Sequence, residues 1–262
     1  MYLYVISGLV RRNKLLNSIS HGKKSKGPPL IILHGLFGSA NNWSSIARAM
    51  SDQRHVICID LRNHGNSPWH STHSYDDLAT DVAMTLDEPA DIIGHSMGGK
   101  AAMVLALRYP QLVNKLIIAD ISPIRYNQSQ ISIINALLAI NLHIAESRTE
   151  VMSQMLTIEP DLRAFLAQSI NIKEKVWRIN LKTLKKDMNK IVGFPNFKAE
   201  FTGKTLFITG EKSNYTHESH KPNIRRLFPN SSFISIQNAG HWLHVEKPLE
   251  FKDITKKFLN EK

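Results

Sequence analysis

The 262-residue sequence holds a single cysteine, Cys58, so no intrachain disulfide can form and a disulfide-stapled scaffold is excluded. A reducing compartment fits that count, and a cytoplasmic protein is expected. Long hydrophobic runs are missing too. Residues 1–10 are apolar, but a membrane helix needs roughly 20 such residues. The basic pair Arg11 and Arg12 follows this stretch, where a secretory signal would place its charges first. Residues 1–14 are therefore expected to form an N-terminal extension or an extra strand. Acidic residues are scarce: 22 Asp and Glu face 33 Lys and Arg, for a formal net charge of +11. Such a surplus raises nucleic acid or an anionic membrane as partners, yet no nucleic-acid-binding motif accompanies it. The densest basic stretch, 173–190, carries Trp177, Leu181, Leu184, Met188 and Ile191 at spacings of 4, 3, 4 and 3. It reads as an amphipathic helix with a solvated lysine face, so neither nucleic acid nor stable membrane insertion is expected. With 42% hydrophobic and 21% charged residues, the composition excludes disordered and fibrous classes.

Short, β-branched apolar runs at 30–33, 55–60, 91–93, 115–119, 204–208 and 232–236 predict strands. They are apolar on both faces, as strands of a buried parallel sheet are. Helical patterns lie between them. Trp43, Ile46, Ala47 and Met50 form one stripe. The segment 74–86 opens on Ser74-x-x-Asp77, a capping signature, and presents Leu78, Val82 and Leu86. The Ala-rich segment 98–108 stops before Pro110, and 247–259 turns Phe251, Ile254 and Phe258 inward. This alternation predicts an α/β fold, with a mostly parallel, doubly wound central sheet flanked by helices. It breaks over 122–201, where the patterns at 129–145, 148–156, 161–169 and 174–191 are all helical. The expected organisation is a core domain from 15–121 and 202–262, with 122–201 inserted as a helical cap. The cap should cover the carboxyl edge of the sheet, where open α/β sheets bind ligands.

Three motifs carry chemistry. Gly94-His95-Ser96-Met97-Gly98 sits directly after a predicted strand and before a predicted helix. A turn that sharp crowds its neighbours, so the flanking positions tolerate no Cβ. Ser96 would stand at the tip as a nucleophile, at a helix N-terminus. His34-Gly35-Leu36-Phe37-Gly38-Ser39 follows an earlier strand. Its backbone would complete an oxyanion hole, pairing the N–H of Met97 with that of Leu36, or less favourably Phe37. Asn238-Ala239-Gly240-His241-Trp242-Leu243-His244 follows the last strand. His241 is placed to act as general base and acid, and His244 is its rival. His217-x-x-His220 and the His241/His244 pair could be read as metal ligands, but no third ligand is evident and no metal is expected. The residues flanking these motifs, His34, Phe37, His95 and Trp242, are the candidate substrate contacts, although His34 reads more as a brace of its loop than as a base.

In this order, the three motifs resemble the α/β-hydrolase family from about Leu15 to the C-terminus. More narrowly, the strings at 34–39, 60–65, 94–100 and 120–123 resemble YbfF-type bacterial esterases and their mitochondrial relatives. The resemblance implies serine ester hydrolysis, with acyl esters or acyl-CoA thioesters as substrates and no cofactor. The acid of the triad is where the sequence departs from many relatives. The loop after the strand at 204–208 holds Ser213 where an aspartate is often found. Asp120, one strand earlier, is the acid that the YbfF-type resemblance implies, and Glu211 or Glu218 are the other candidates. The same residues also serve carbon–carbon bond hydrolases, lyases and perhydrolases, and a slow-turnover ligand receptor could keep the fold. An intact Ser96 and His241 favour the esterase.

Overall fold

The computed structural model describes residues 15–23 and 27–261, so the extension or strand expected over 1–14 lies outside the described residues. A seven-stranded sheet forms the centre. Its strands in chain order are β1 (Ser18–His21), β2 (Leu30–Leu33), β3 (Val56–Ile59), β4 (Ala90–His95), β5 (Val113–Ala119), β8 (Thr205–Gly210) and β9 (Ser231–Ile236). Between β5 and β8 lies a separate hairpin of β6 (Ile170–Asn171) and β7 (Val176–Trp177). The sheet order is β1-β3-β2-β4-β5-β8-β9, and every pairing is parallel except that of β1 with β3. All six predicted strands are present. The short, polar edge strand β1 has no apolar run to announce it.

Because both faces of the sheet are covered, alternate residues of one strand enter different cores. Leu30 and Ile32 of β2 pack with Trp43, Met50 and Phe251 on one side. Ile31 and Leu33 pack with Leu78, Val82 and Ala102 on the other. The first layer contains α1 (Ser44–Met50) and, at the end of the chain, α9 (Leu243–Glu246) and α10 (Pro248–Asn260). The second contains α2 (Tyr75–Thr85) and α3 (Met97–Arg108). Ser74 caps α2, its hydroxyl accepting the Asp77 N–H at 3.2 Å. Helix α8 (Lys221–Leu227) follows β8 and has no counterpart among the sequence expectations. The connections after β2 and β4 leave in opposite directions, one toward β3 and the other toward β5. The crevice opened between their carboxyl ends is the topological switch point at which such sheets bind ligands.

Residues 122–201 hold α4 (Ile131–Leu138), α5 (Arg148–Ser153), α6 (Pro160–Ala167), the β6–β7 hairpin and α7 (Leu181–Val192). The expectation of an all-helical insert is corrected by that hairpin. The predicted helix 174–191 begins at Leu181 instead, because Asn180 caps it by accepting the Thr183 N–H at 3.2 Å. Trp177 continues the α7 stripe in spacing but sits in β7. Lys175, with φ of 55°, turns the chain just before it. The helix expected over 129–145 likewise stops at Leu138. Ile134, Leu137, Leu184 and Met188 join the same apolar cluster as α2 and α3, which fixes the insert onto the core.

The loop after β3 is an anchoring device. Asp60 accepts N–H bonds from Ala40 (2.7 Å) and Asn66 (2.9 Å), binding the loop after β2 to its own. Arg62 grips Asp81 of α2 through two hydrogen bonds of 2.5 and 2.7 Å, both side chains buried. Asp77 approaches the same guanidinium at 3.3 Å but is more exposed, so removing Asp81 strips the buried charge of its two-bond partner. Asp81→Asn should therefore lower the free energy of unfolding by about 3 kcal/mol in urea titration, and a loss below about 1 kcal/mol would show the pair to be dispensable.

Candidate active site

The site is built where β4 turns into α3. Ser96 occupies that turn with φ of 53° and ψ of −120°, a conformation that L-residues avoid. The crowding inferred from the sequence has measurable causes. A Cβ on Gly94 would lie 2.4 Å from the Gly98 carbonyl oxygen, and one on Gly98 would lie 2.4 Å from that of Leu33. Only hydrogens fit at these two positions, so the turn can be this tight.

Ser96 Oγ lies 3.0 Å from His241 Nε2, and His241 Nδ1 lies 2.7 Å from Asp120 Oδ2. A carboxylate only accepts, so Nδ1 must donate to Asp120 and Nε2 is left to accept from Ser96. Asp120 is fully buried at the end of β5. Its Oδ1 accepts the Gly210 N–H at 3.1 Å, and its Oδ2 also accepts from the Ser213 hydroxyl. Ser213 thus holds the carboxylate from the neighbouring loop. Glu211 and Glu218, the other two candidates, lie elsewhere: Glu211 accepts the Asn238 N–H at 2.8 Å, and Glu218 pairs with Lys221 on the surface.

The loop after β2 faces this array. The Phe37 N–H is occupied by His64 Nε2 at 3.3 Å. The Leu36 and Met97 amides have no acceptor among the described residues, and Met97 opens α3, where N–H groups lie outside the helical ladder. His34 braces its loop: Nδ1 donates to the Gly35 carbonyl at 2.8 Å, and Nε2 accepts the Leu61 N–H at 3.0 Å. His95 is committed similarly, donating from Nε2 to the carbonyl of His241 at 2.9 Å. Both rings border the cavity; both nitrogens of His34 and the Nε2 of His95 are bonded to backbone. His244, the rival base, is buried and stacked on Trp43 at 4.0 Å.

Above Ser96 opens a cavity of about 230 Å³. Phe37 and Met97 wall it from the core, Ile133, Leu162, Phe165 and Met188 from the insert, and Trp242 at the rim. Tyr215 stacks on His241 with ring centres 3.9 Å apart. Sequence reasoning expected an apolar roof from the insert but did not assign Tyr215 or the insert's individual lining residues to the site. Neither belongs to a motif, although Met188 and Leu184 do share the periodic stripe that predicted α7.

The chain matches the family described as alpha/beta hydrolase fold over residues 28–156 and 149–248. It belongs to the α/β-hydrolase family. This α/β-hydrolase is 38% identical over 249 residues to the sn-1-specific diacylglycerol lipase ABHD11 of Mus musculus, a match covering 88% of this chain and 81% of that protein. It is 34% identical over 241 residues to esterase YbfF of Escherichia coli (strain K12), covering 89% and 93%. A solved marine microorganism esterase superposes with a TM-score of 0.88 at 38% identity, covering 93% of this chain and 98% of that one. With esterases and a lipase as its relatives, the chain is a hydrolase of ester bonds. No helix among the described residues is long and apolar enough to cross a membrane.

Several histidines around the site are held neutral by burial. His244 is pushed down to about 3, with the nearby His241 adding to the effect, and His73 also to about 3, with Arg62 adding. His95 and His64 lie well below the ordinary value for the same first cause. Unfolded, these rings take up protons as pH falls through 6.5, whereas in the fold His73 and His244 stay neutral until about 3. The unfolded chain binds more protons within that window, so stability is full above it and declines as pH falls through it. Each such ring contributes a slope of at most about 1.4 kcal/mol per pH unit. The urea midpoint should fall steadily from pH 7 to about pH 5, and His244→Phe, which keeps the stack on Trp43, should flatten the slope. An identical slope in the variant would show that His244 is protonated in the fold.

Proposed function

We propose that this α/β-hydrolase cleaves small to medium carboxylic esters by two-step acyl transfer through a Ser96–His241–Asp120 triad. The hydrogen-bonded chain from Ser96 through His241 to Asp120, at the floor of an apolar cavity, is the observation that carries this reading. Ser96 Oγ attacks the ester carbonyl while His241 Nε2 takes its proton. Asp120 keeps His241 in the tautomer that can accept, and it stabilises the imidazolium that forms. The Leu36 and Met97 amides receive the oxyanion; one such donor is worth on the order of 3 kcal/mol in the transition state. His241 then protonates the departing alcohol, leaving an acyl-serine. Water, deprotonated by the same imidazole, adds to the acyl carbon and releases the acid.

The walls support the substrate class. Leucine, isoleucine, phenylalanine and methionine side chains give an acyl chain an apolar environment and exclude water from the acyl-enzyme. An acyl-CoA thioester would follow the same steps, with His241 protonating the departing sulfur so that a thiol leaves.

The test is a p-nitrophenyl ester series from acetyl to dodecanoyl, with acyl-CoA substrates in parallel. Wild type should turn over the shorter esters. Ser96→Ala should lose three or more decades in kcat, and Asp120→Asn about three to four decades, with folding checked by circular dichroism. An inert wild type, or an equally active Ser96→Ala protein, would reject the assignment.

A further inference from the structure

Lys100 carries a cation into the core. It is 1% exposed and stands one helical turn beyond Ser96 in α3, its own N–H bonded to the Ser96 carbonyl at 3.1 Å. Its Nζ donates to the carbonyl oxygens of Ile124 (2.8 Å), Val192 (3.0 Å) and Gly193 (2.7 Å). Those bonds use every hydrogen of the ammonium. The rings of Tyr126 and Tyr75 lie 4.6 and 5.6 Å from it, close enough for cation–π attraction. Burial, reinforced by the charge of Arg125, pushes its pKa down to about 7. A methionine would fill the same space but leave the three carbonyls without this donor, so what the lysine adds is specific to those two segments.

The three carbonyls share one geometric property. Ile124 lies just past Asp120, where the chain leaves β5 and enters the insert. Val192 and Gly193 lie at the end of α7, where the insert returns. The same crossing is tied by the Tyr126 N–H to the Val192 carbonyl (2.9 Å) and the Tyr75 hydroxyl to the Ile191 carbonyl (2.6 Å). Ile121 at the entry and Met188 and Ile191 at the exit border the cavity, so the position of these two segments sets its width.

We propose that Lys100 is a positioning residue that pins the entry and exit segments of the insert to the helix of Ser96, and thereby sets the enzyme's selectivity for acyl-chain length. The kinetic part of this inference rests on the esterase reading above; the pinning itself does not.

The experiment compares wild type, Lys100→Met and Lys100→Gln, each as the full chain, by kinetics on the same ester series and by amide hydrogen exchange. The loss in kcat/KM should grow with chain length, from about twofold on the acetyl ester to about tenfold or more on the octanoyl ester, and should enter through KM. The Tyr126 and Gly193 amides should exchange faster while those of β4 and β5 keep their protection. An equal loss at every chain length, unchanged kinetics, or unchanged exchange at Tyr126 and Gly193 would overturn the proposal. Failure of both variants to fold would overturn it too, since Lys100 would then be a requirement of the core. An inactive wild type would instead sink the esterase reading, and exchange alone would then decide the pinning.

Discussion

Everything at this site depends on one strained residue. Ser96 holds a positive φ in the turn between β4 and α3, and the turn exists only because Gly94 and Gly98 leave room for the carbonyls beside them. A conformation of this kind costs of order 1–3 kcal/mol and persists because its surroundings over-determine it. Here the surroundings are the Ser96 N–H, bonded to the Ala119 carbonyl of β5 at 3.1 Å, and the close approach of Gly98 to β2. The strain lifts the hydroxyl out of the sheet, toward His241, and leaves the Met97 amide at the open end of a helix. The positions of the Ser96 hydroxyl and the Met97 amide therefore follow from one backbone decision.

The remaining parts are brought to that point by strand ends. The loops after β2, β5 and β9 deliver Leu36, Asp120 and His241 to the same edge, and the loop after β8 adds Ser213 against Asp120. Buried histidines serve as braces in this frame. Imidazole carries one donor and one acceptor at fixed geometry, so His34 can satisfy two backbone groups of neighbouring loops, and His95 can fix the carbonyl of His241. The cost is borne in acid, where each ring excluded from water resists protonation.

The insert answers to the same centre. Its apolar face joins the cluster under α2 and α3, and its two crossings meet at Lys100, one turn from Ser96. The roof of the cavity is thus referenced to the helix that begins at Ser96 and not to the periphery of the sheet. A cavity framed this way can change its lining, through Ile133, Leu162 or Met188, without disturbing the residues at its floor.

Much of this was legible in the chain itself. The β-branched runs, the Ser74 cap and the Gly-x-Ser-x-Gly turn are local signals, because strand burial, helix capping and steric crowding act over a few residues. They were enough for the mostly parallel sheet, its flanking helices and the position of Ser96. Other features depended on which segments meet. The β6–β7 hairpin interrupted a pattern whose spacing suited a helix, because Asn180 caps α7 so that it starts seven residues late, and Ile179 pairs with His64 across the chain. Asp120 could be weighed against Glu211 and Glu218 only by resemblance, since all three lie near strand ends; packing of β5 beside β8 set Asp120 alone against His241. Tyr215 belongs to no motif, and Lys100 closes the 94–100 string without any local sign of its partners, which lie in distant segments. Short-range sterics and periodicity are written in order along the chain, whereas a contact between distant segments exists only once the sheet has chosen its neighbours.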